Sequence, residues 1–402
     1  MLMKSLKMQS PFFSKIALSL IFLLSFVLSL SAQRDTISFE SVKDEKNYGR
    51  FRFIEIKGHS GYHLYTGELL NDAVNQGYGA VEFRYGWQPK DPDKWPSRYG
   101  YASYGFGYYS GFVGNPEILG KPNAVFGFVN FPLSNPARRN VLETGLSLGL
   151  TYNLEPYNEK NNPENDAIGS PFAVYFNLNF GATYKLTREL DLVYGIDFTH
   201  FSNGRMTTPN YGFNMYGLNV GLRYYYNADQ KLVDNDVYSK ELIQARFIKP
   251  ENLKQIKLRE SSIEVYLAGG SVQNEDDKGT YKRYGVFSGA LDYRFKFNSM
   301  HGVVAGFDYF WDGSLEADYP ETKDQSLTGL HIGYDFMFGK FALRLHAGSY
   351  LSDDKGKSPT YMRAGFRYDI TNWLFAQIAI KTKNTSRADW IEYGVGFTPF
   401  KW

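Results

Sequence analysis

The sequence predicts an all-β fold, an antiparallel barrel of the outer-membrane type with about sixteen strands. Three observations predict it. Apolar and polar residues alternate with a period of two in run after run, short and long connections follow one another in turn, and the chain closes on an aromatic-ended strand. Composition agrees: of 402 residues 17% are aromatic, 32 of them tyrosine, and they stand in alternating strings rather than at helical spacing. A mean hydropathy of −0.39 suits a barrel, because lumen-facing residues are polar and dilute the apolar face.

At the amino end Lys4, Lys7 and Lys15 precede an apolar run from Ile16 to Leu30, and the small residues Ser31 and Ala32 follow. Residues 1–32 are therefore expected to be a secretory signal peptide cleaved after Ala32. No later segment supplies the roughly 18 consecutive apolar residues of a spanning helix. Export with this composition points to a bacterial outer membrane.

Strands are expected near 50–66, 78–87, 98–109, 122–131, 141–152, 171–186, 190–202 and 214–226 in the first half. In the second half they fall near 262–272, 283–296, 301–312, 326–338, 341–351, 360–369, 372–382 and 389–400. Tight links such as Gly339-Lys340 and Thr187-Arg188-Glu189 alternate with loops such as Asn153 to Ser170 and Asp312 to Gln325, the pattern of periplasmic turns and outer loops. Ile391, Tyr393, Val395 and Phe397 alternate in the last run, Pro399 interrupts it, and the chain ends Phe400-Lys401-Trp402. That ending resembles the assembly signal of outer-membrane barrels.

Residues 33–226 form one barrel half and 261–402 a second, joined by a polar connector, 227–260, that lacks alternation and contains a helix-compatible stretch, Ser239 to Ala245. Placing Leu192 to Ser202 over Leu374 to Asn384 preserves apolar parity and suggests a degenerate duplication, with Thr382 and Asn384 opposite His200 and Ser202. A single large barrel is expected, since one carboxy-terminal signal serves one closure event; two tandem eight-stranded barrels are the alternative.

The absence of cysteine excludes disulfides, a lipid-anchored amino-terminal cysteine, thiolate metal sites and a cysteine nucleophile. A net charge of +2 gives no argument for nucleic acid as a partner. His59 and His63 lack an acidic partner in register, so no metal is expected there, and no cofactor is called for elsewhere. His331, and His346 with Arg344, fall on lumen parities and read as a structural polar network. Glu392 is also expected in the lumen.

Chemistry gathers in one hairpin. Leu190, Leu192, Tyr194, Ile196 and Phe198 form an apolar row that ends in His200 and Ser202, so both are expected on the outward, lipid-facing side. Residues i and i+2 on a strand stand about 6.5–7 Å apart, close enough for their side chains to lean together. Histidine suits the deprotonation of a serine nucleophile near neutrality. Asn214 opens the next apolar row, Tyr216, Leu218, Val220, Leu222, and returns beside His200, where an acceptor orients the imidazole.

The stretch His200-Phe201-Ser202-Asn203-Gly204, followed by Pro209-Asn210-Tyr211-Gly212-Phe213-Asn214, resembles the outer-membrane lipid A 3-O-deacylases, barrel serine esterases that remove one ester-linked acyl chain from lipopolysaccharide. The resemblance covers roughly Tyr85 to Tyr226. It implies Ser202 as nucleophile, His200 as general base, and Asn203 as an oxyanion-stabilising side chain aided by N–H groups around Gly204. Asn210 matches another characteristic asparagine. The family usually carries glutamate where Asn214 stands, and the chain looks like a longer subgroup with asparagine there and an additional carboxy-terminal half. The expected partners are lipopolysaccharide and outer-membrane lipids. The competing reading is a non-catalytic channel or structural barrel with a degenerate hydrolase site, which a wide conducting lumen would favour.

Overall fold

The computed structural model describes residues 49–65, 67, 69–75, 77–90, 99–229, 243, 245–247, 259–318, 324–352, 354–383 and 387–402. Residues 1–32, the expected signal peptide, lie outside them, as do most of 227–260, including 239–242 and 244 of the helix-compatible stretch. In the first half β1 (Arg50–His63), β2 (Tyr78–Pro89), β3 (Ser103–Phe112), β4 (Gly120–Pro132), β5 (Asn140–Leu154), β6 (Ala173–Lys185), β7 (Leu190–Ser202) and β8 (Phe213–Tyr225) each pair with the next. In the second, β9 (Glu260–Val272), β10 (Tyr284–Lys296), β11 (His301–Asp312), β12 (Ser326–Phe338), β13 (Phe341–Tyr350), β14 (Thr360–Asp369), β15 (Leu374–Lys383) and β16 (Arg387–Lys401) do the same.

All sixteen strands pair antiparallel, but they do not form one ring. β8 returns to β1, Phe53 opposite Tyr225, and β16 returns to β9, Tyr393 opposite Gly269. The expected single large barrel is thus corrected to two closed eight-stranded barrels. The reason lies in the lumens, which an eight-stranded ring leaves just wide enough for side chains to fill. β1 shows the rule residue by residue: Phe51, Phe53, Glu55, Lys57 and His59 are buried inward, while Ile54 and Ile56 are exposed outward.

Charge pairs and rings fill both interiors. In the first barrel Arg223 meets Glu55 at 2.5 Å, Arg84 meets Glu82 at 2.5 Å and lies 4.6 Å over the Phe128 ring. In the second, Arg344 joins Asp335 at 3.1 Å and Asp292 at 3.2 Å, and Arg363 joins Asp308 at 3.0 Å and Glu392 at 2.9 Å. His331 stacks on His346 with 4.7 Å between ring centres. Buried ions in such numbers persist because each finds a partner.

The third strand begins later than its alternation suggests. Gly100 and Tyr101 both take left-handed backbone, φ 65° and 63°, and two such residues in succession turn the chain before it extends at Ser103. Beyond β8, Arg188 donates to Ala228 O at 3.0 Å and Ala245 O at 2.9 Å, Arg246 meets Asp191 at 2.5 Å, and Phe247 stacks on Tyr101 at 4.8 Å. The described part of the connector therefore closes the mouth of the first barrel on the side where Arg188 turns. The two barrels touch near that level through Tyr99 Oη, which donates to Met337 O at 2.6 Å, and through Phe131 against Phe336 at 5.5 Å.

Candidate active site

The candidate site stands where β7 passes into β8. Asp191, Asp197, Thr199 and Phe201 of β7 are buried inward, whereas Ile196, on the opposite parity, is 56% exposed. His200 lies on that outward row, its ring parallel to Phe198 with centroids 6.4 Å apart. Antiparallel register sets His200 directly opposite Asn214, and the two side chains meet, Nδ1 to Oδ1, at 2.7 Å. An amide oxygen only accepts, so Nδ1 carries the hydrogen and Nε2 keeps a free lone pair.

Ser202 departs from expectation. It holds the outward parity yet is only 6% exposed, because the loop between the strands folds back over it. Asn210 Nδ2 donates to Ser202 Oγ at 2.9 Å, and the backbone N–H of Gly204 donates to it at 3.2 Å. The hydroxyl's partners are thus Asn210 and Gly204 rather than His200. The structure brings together two pairs, His200 with Asn214 and Ser202 with Asn210, and leaves the imidazole and hydroxyl adjacent without a hydrogen bond between them. Catalytic hydrogen bonds commonly tighten only with substrate in place.

Asn203 is drawn into the same loop. Its N–H donates to Asn210 Oδ1 at 3.1 Å, and its Nδ2 donates to Thr207 Oγ1 at 2.8 Å. The Asn203 amide is thus held by the turn that follows it. Gly204, at φ 63°, begins the turn in a backbone region that favours glycine.

Gly212 was not singled out by sequence reasoning, although it stands inside the matched motif. At φ 75° it lies against both candidate side chains: a Cβ there would be 3.0 Å from His200 Cε1 and 3.5 Å from Ser202 Cβ. Its N–H donates to Ala167 O at 2.9 Å, so the β5–β6 loop supports the site from behind. That loop is held in turn by Asn165, whose Nδ2 donates to Glu155 O at 2.6 Å, and by Tyr65, whose hydroxyl donates to Asp166. Desolvation, with the Asp166 hydrogen bond adding to it, raises the Tyr65 hydroxyl above its ordinary range and keeps it a donor. Nothing in the sequence marks these supports, because they depend on loops meeting across the barrel mouth.

The remaining candidates sort by barrel wall. His59 does have acidic neighbours, contrary to its reading in sequence: its Nδ1 is 2.5 Å from Asp197 and its Nε2 3.7 Å from Glu82 across the first lumen. Those carboxylates come from β7 and β2, which no local register reveals. Among the described residues no group of three or more histidines and carboxylates is arranged to hold a metal ion. Glu392 is in the second lumen on Arg363, not on the outward row that carries His200. Thr382 holds the outward parity of β15, and Asn384 lies outside the described residues.

Comparison with known proteins supplies the family. Residues 78–223 match the model of lipid A 3-O-deacylase (PagL), and residues 261–402 match that of the acyloxyacyl hydrolase C-terminal domain. No curated protein sequence matches the chain. Similar solved structures include a mutant porin of Rhodopseudomonas blastica, 9% identical over 87% of this chain and 100% of that one, with a TM-score of 0.18. Outer membrane protein Omp33 of Acinetobacter baumannii is 10% identical over 88% and 98%, TM-score 0.15. The siderophore receptor PirA of the same organism is 12% identical over 82% and 56%, TM-score 0.20. Superposition this poor carries no argument, and the fold rests on the strand pairing itself. The two family matches cover both barrels in chain order, and the chain belongs to the lipid A 3-O-deacylase family, in the longer form that carries the acyloxyacyl hydrolase C-terminal domain.

Proposed function

We propose that this protein is an outer-membrane serine esterase that hydrolyses an ester-linked acyl chain of lipid A, with Ser202 as nucleophile and His200 as general base. The observation that carries the reading is the 2.7 Å contact between His200 Nδ1 and Asn214 Oδ1. It fixes the tautomer a general base needs, on the outward row beside a serine, within the segment matched to the deacylase family.

In this mechanism Ser202 Oγ attacks the acyl carbonyl carbon while its proton passes to His200 Nε2. The carbonyl oxygen takes up the negative charge, and Gly204 N–H and Asn210 Nδ2, both on Ser202 Oγ, are the nearest donors, with the Asn203 side chain as the further donor that the family resemblance implies. Collapse breaks the ester bond, and His200 returns its proton to the departing sugar oxygen. Water, deprotonated by His200 in the same manner, then releases the fatty acid from Ser202. Asn214 holds the ring throughout but lacks the charge with which a carboxylate stabilises imidazolium.

Family membership and the barrel fold support an outer-membrane setting, with residues 1–32 as the export signal. The competing channel reading has less to draw on, since ion pairs and aromatic rings fill both lumens. Mass spectrometry of lipid A from cells with and without the protein tests the proposal. The expected result is loss of one acyl mass with the wild-type protein and an unchanged spectrum with Ser202→Ala. Identical lipid A in all three strains overturns it.

A further inference from the structure

The loop that carries both donors to Ser202 is gripped by the second barrel. Arg205, immediately after Gly204, sends its guanidinium into the end of that barrel: Nε donates to Asp389 O at 3.0 Å and Nη2 to Ser314 Oγ at 3.4 Å. Nη2 also lies 3.5 Å from the carboxylates of Asp312 and of Asp389, with the Arg205 side chain 12% exposed. The backbone is held as well. Gln273 N–H donates to Arg205 O at 3.0 Å, and Gln273 Oε1 accepts from Thr208 N–H at 2.7 Å. Gln273 is itself fixed, its Nε2 donating to Asp277 O at 2.9 Å and Thr280 O at 2.8 Å.

Packing reinforces the polar contacts. Ile391 shares the outward row of β16 with Tyr393 and Val395, which are 50% and 56% exposed, yet Ile391 is 6% exposed. Gly204 lies against it so closely that a Cβ would come within 2.3 Å of Ile391 Cγ1. The grip points, Gly204-Arg205 and Thr208, therefore adjoin the two donors to Ser202, the Gly204 N–H and Asn210 Nδ2.

Arg205 is not the only cation at these carboxylates. Lys357 meets Asp312 and Asp389 at 2.6 Å each, and Lys381 meets Asp389 at 2.7 Å, two cations for two carboxylates. The guanidinium adds a third cation to this cluster and ties the loop that brings it to the second barrel.

We propose that the carboxy-terminal barrel serves the reaction as a clamp, with Arg205 and Gln273 as positioning residues that keep Gly204 N–H and Asn210 Nδ2 aimed at Ser202 Oγ. This rests on the esterase reading above. Misplacing a catalytic group by about 1 Å costs on the order of a hundredfold in rate, so a loosened loop depresses the chemical step more than substrate binding.

The test uses the full-length protein in detergent with purified lipid A, and compares wild type with Arg205→Ala, Arg205→Lys and Gln273→Ala. Turnover, KM and the rate at which a fluorophosphonate labels Ser202 are measured on samples shown by heat-modifiable migration to be folded. Arg205→Ala and Gln273→Ala should lower both kcat and labelling by about 10- to 100-fold with KM within about twofold, and Arg205→Lys should recover part of the loss. If Arg205→Ala does not fold, Gln273→Ala decides. An active wild type matched by its folded variants overturns the clamp and leaves the esterase reading standing, as does a rise in KM with kcat and labelling unchanged. A wild type that neither deacylates lipid A nor labels overturns the esterase reading and the clamp with it.

Discussion

Asn210 Nδ2 donates to Ser202 Oγ at 2.9 Å while Asn210 Oδ1 accepts from the Asn203 backbone at 3.1 Å. One amide thus couples the serine hydroxyl to the turn that follows it, and both of its ends are in use. A donor already aimed at the serine oxygen lies close to where charge develops on an attacked carbonyl, and it needs little reorganisation there.

Asn210→Ala should lower kcat on detergent-solubilised lipid A by about 100- to 1,000-fold, the range for loss of one oxyanion donor. Asn210→Asp should be at least as damaging, because it keeps the acceptor for Asn203 but replaces the donor with a carboxylate facing the developing anion. Equal turnover in wild type and both variants would remove Asn210 from the site.

Gly212→Ala tests the space beside base and nucleophile. The added methyl meets left-handed backbone at φ 75° and lies 2.9 Å from Phe201 O as well as 3.0 Å from His200 Cε1. The backbone alone costs about 1–2 kcal/mol, which a closed barrel tolerates, so the variant should migrate as a folded protein. Its turnover should fall at least about tenfold as the imidazole is pushed aside. Wild-type turnover would show that the ring moves without consequence.

Arg363 addresses the second lumen. It holds Asp308 at 3.0 Å and Glu392 at 2.9 Å, all three buried. Arg363→Met leaves Glu392 uncompensated and should destabilise the barrel by about 3–5 kcal/mol, whereas adding Glu392→Leu should recover part of that loss because no orphaned charge remains. Asp308 keeps His331 at 2.7 Å in either case. Urea unfolding of the two variants in detergent gives the comparison, and a double variant less stable than the single one contradicts it.

Strand positions were legible from the alternation itself, at tight turns and long loops alike. β7, β11, β12 and β14 fall at 190–202, 301–312, 326–338 and 360–369, as the pattern of Val/Ile/Phe against Gly and charge implies. Ring closure was not legible, since alternation tells which side a residue faces but not which distant strand it pairs with; β8 on β1 and β16 on β9 are the longest-range pairings in each barrel. The meeting of His200 and Asn214 followed from counting register through one hairpin. The cover over Ser202 did not, and neither did the burial of Ile391, because docking of one barrel on another leaves the residue pattern of an outward row unchanged.

The last prediction concerns Asn214, the one place where the matched motif departs from its usual acid. If Asn214 Oδ1 holds His200 Nδ1–H, Asn214→Ala frees the ring to rotate and to take the wrong tautomer, and turnover should drop by orders of magnitude, about 10⁴-fold where a triad's orienting group is made unable to accept. Binding of lipid A should change far less, since Asn214 touches the base and not the acyl chain in the proposed mechanism. Asn214→Glu places a charge beside the ring that stabilises imidazolium as the proton arrives, at the cost of burying a carboxylate on an outward wall. It should equal or exceed wild-type turnover if the charge outweighs that cost. Rates for the three proteins on one substrate, at saturating concentration, separate these effects. If Asn214→Ala turns over as fast as wild type, the 2.7 Å contact plays no part in the reaction and His200 acts without an orienting partner.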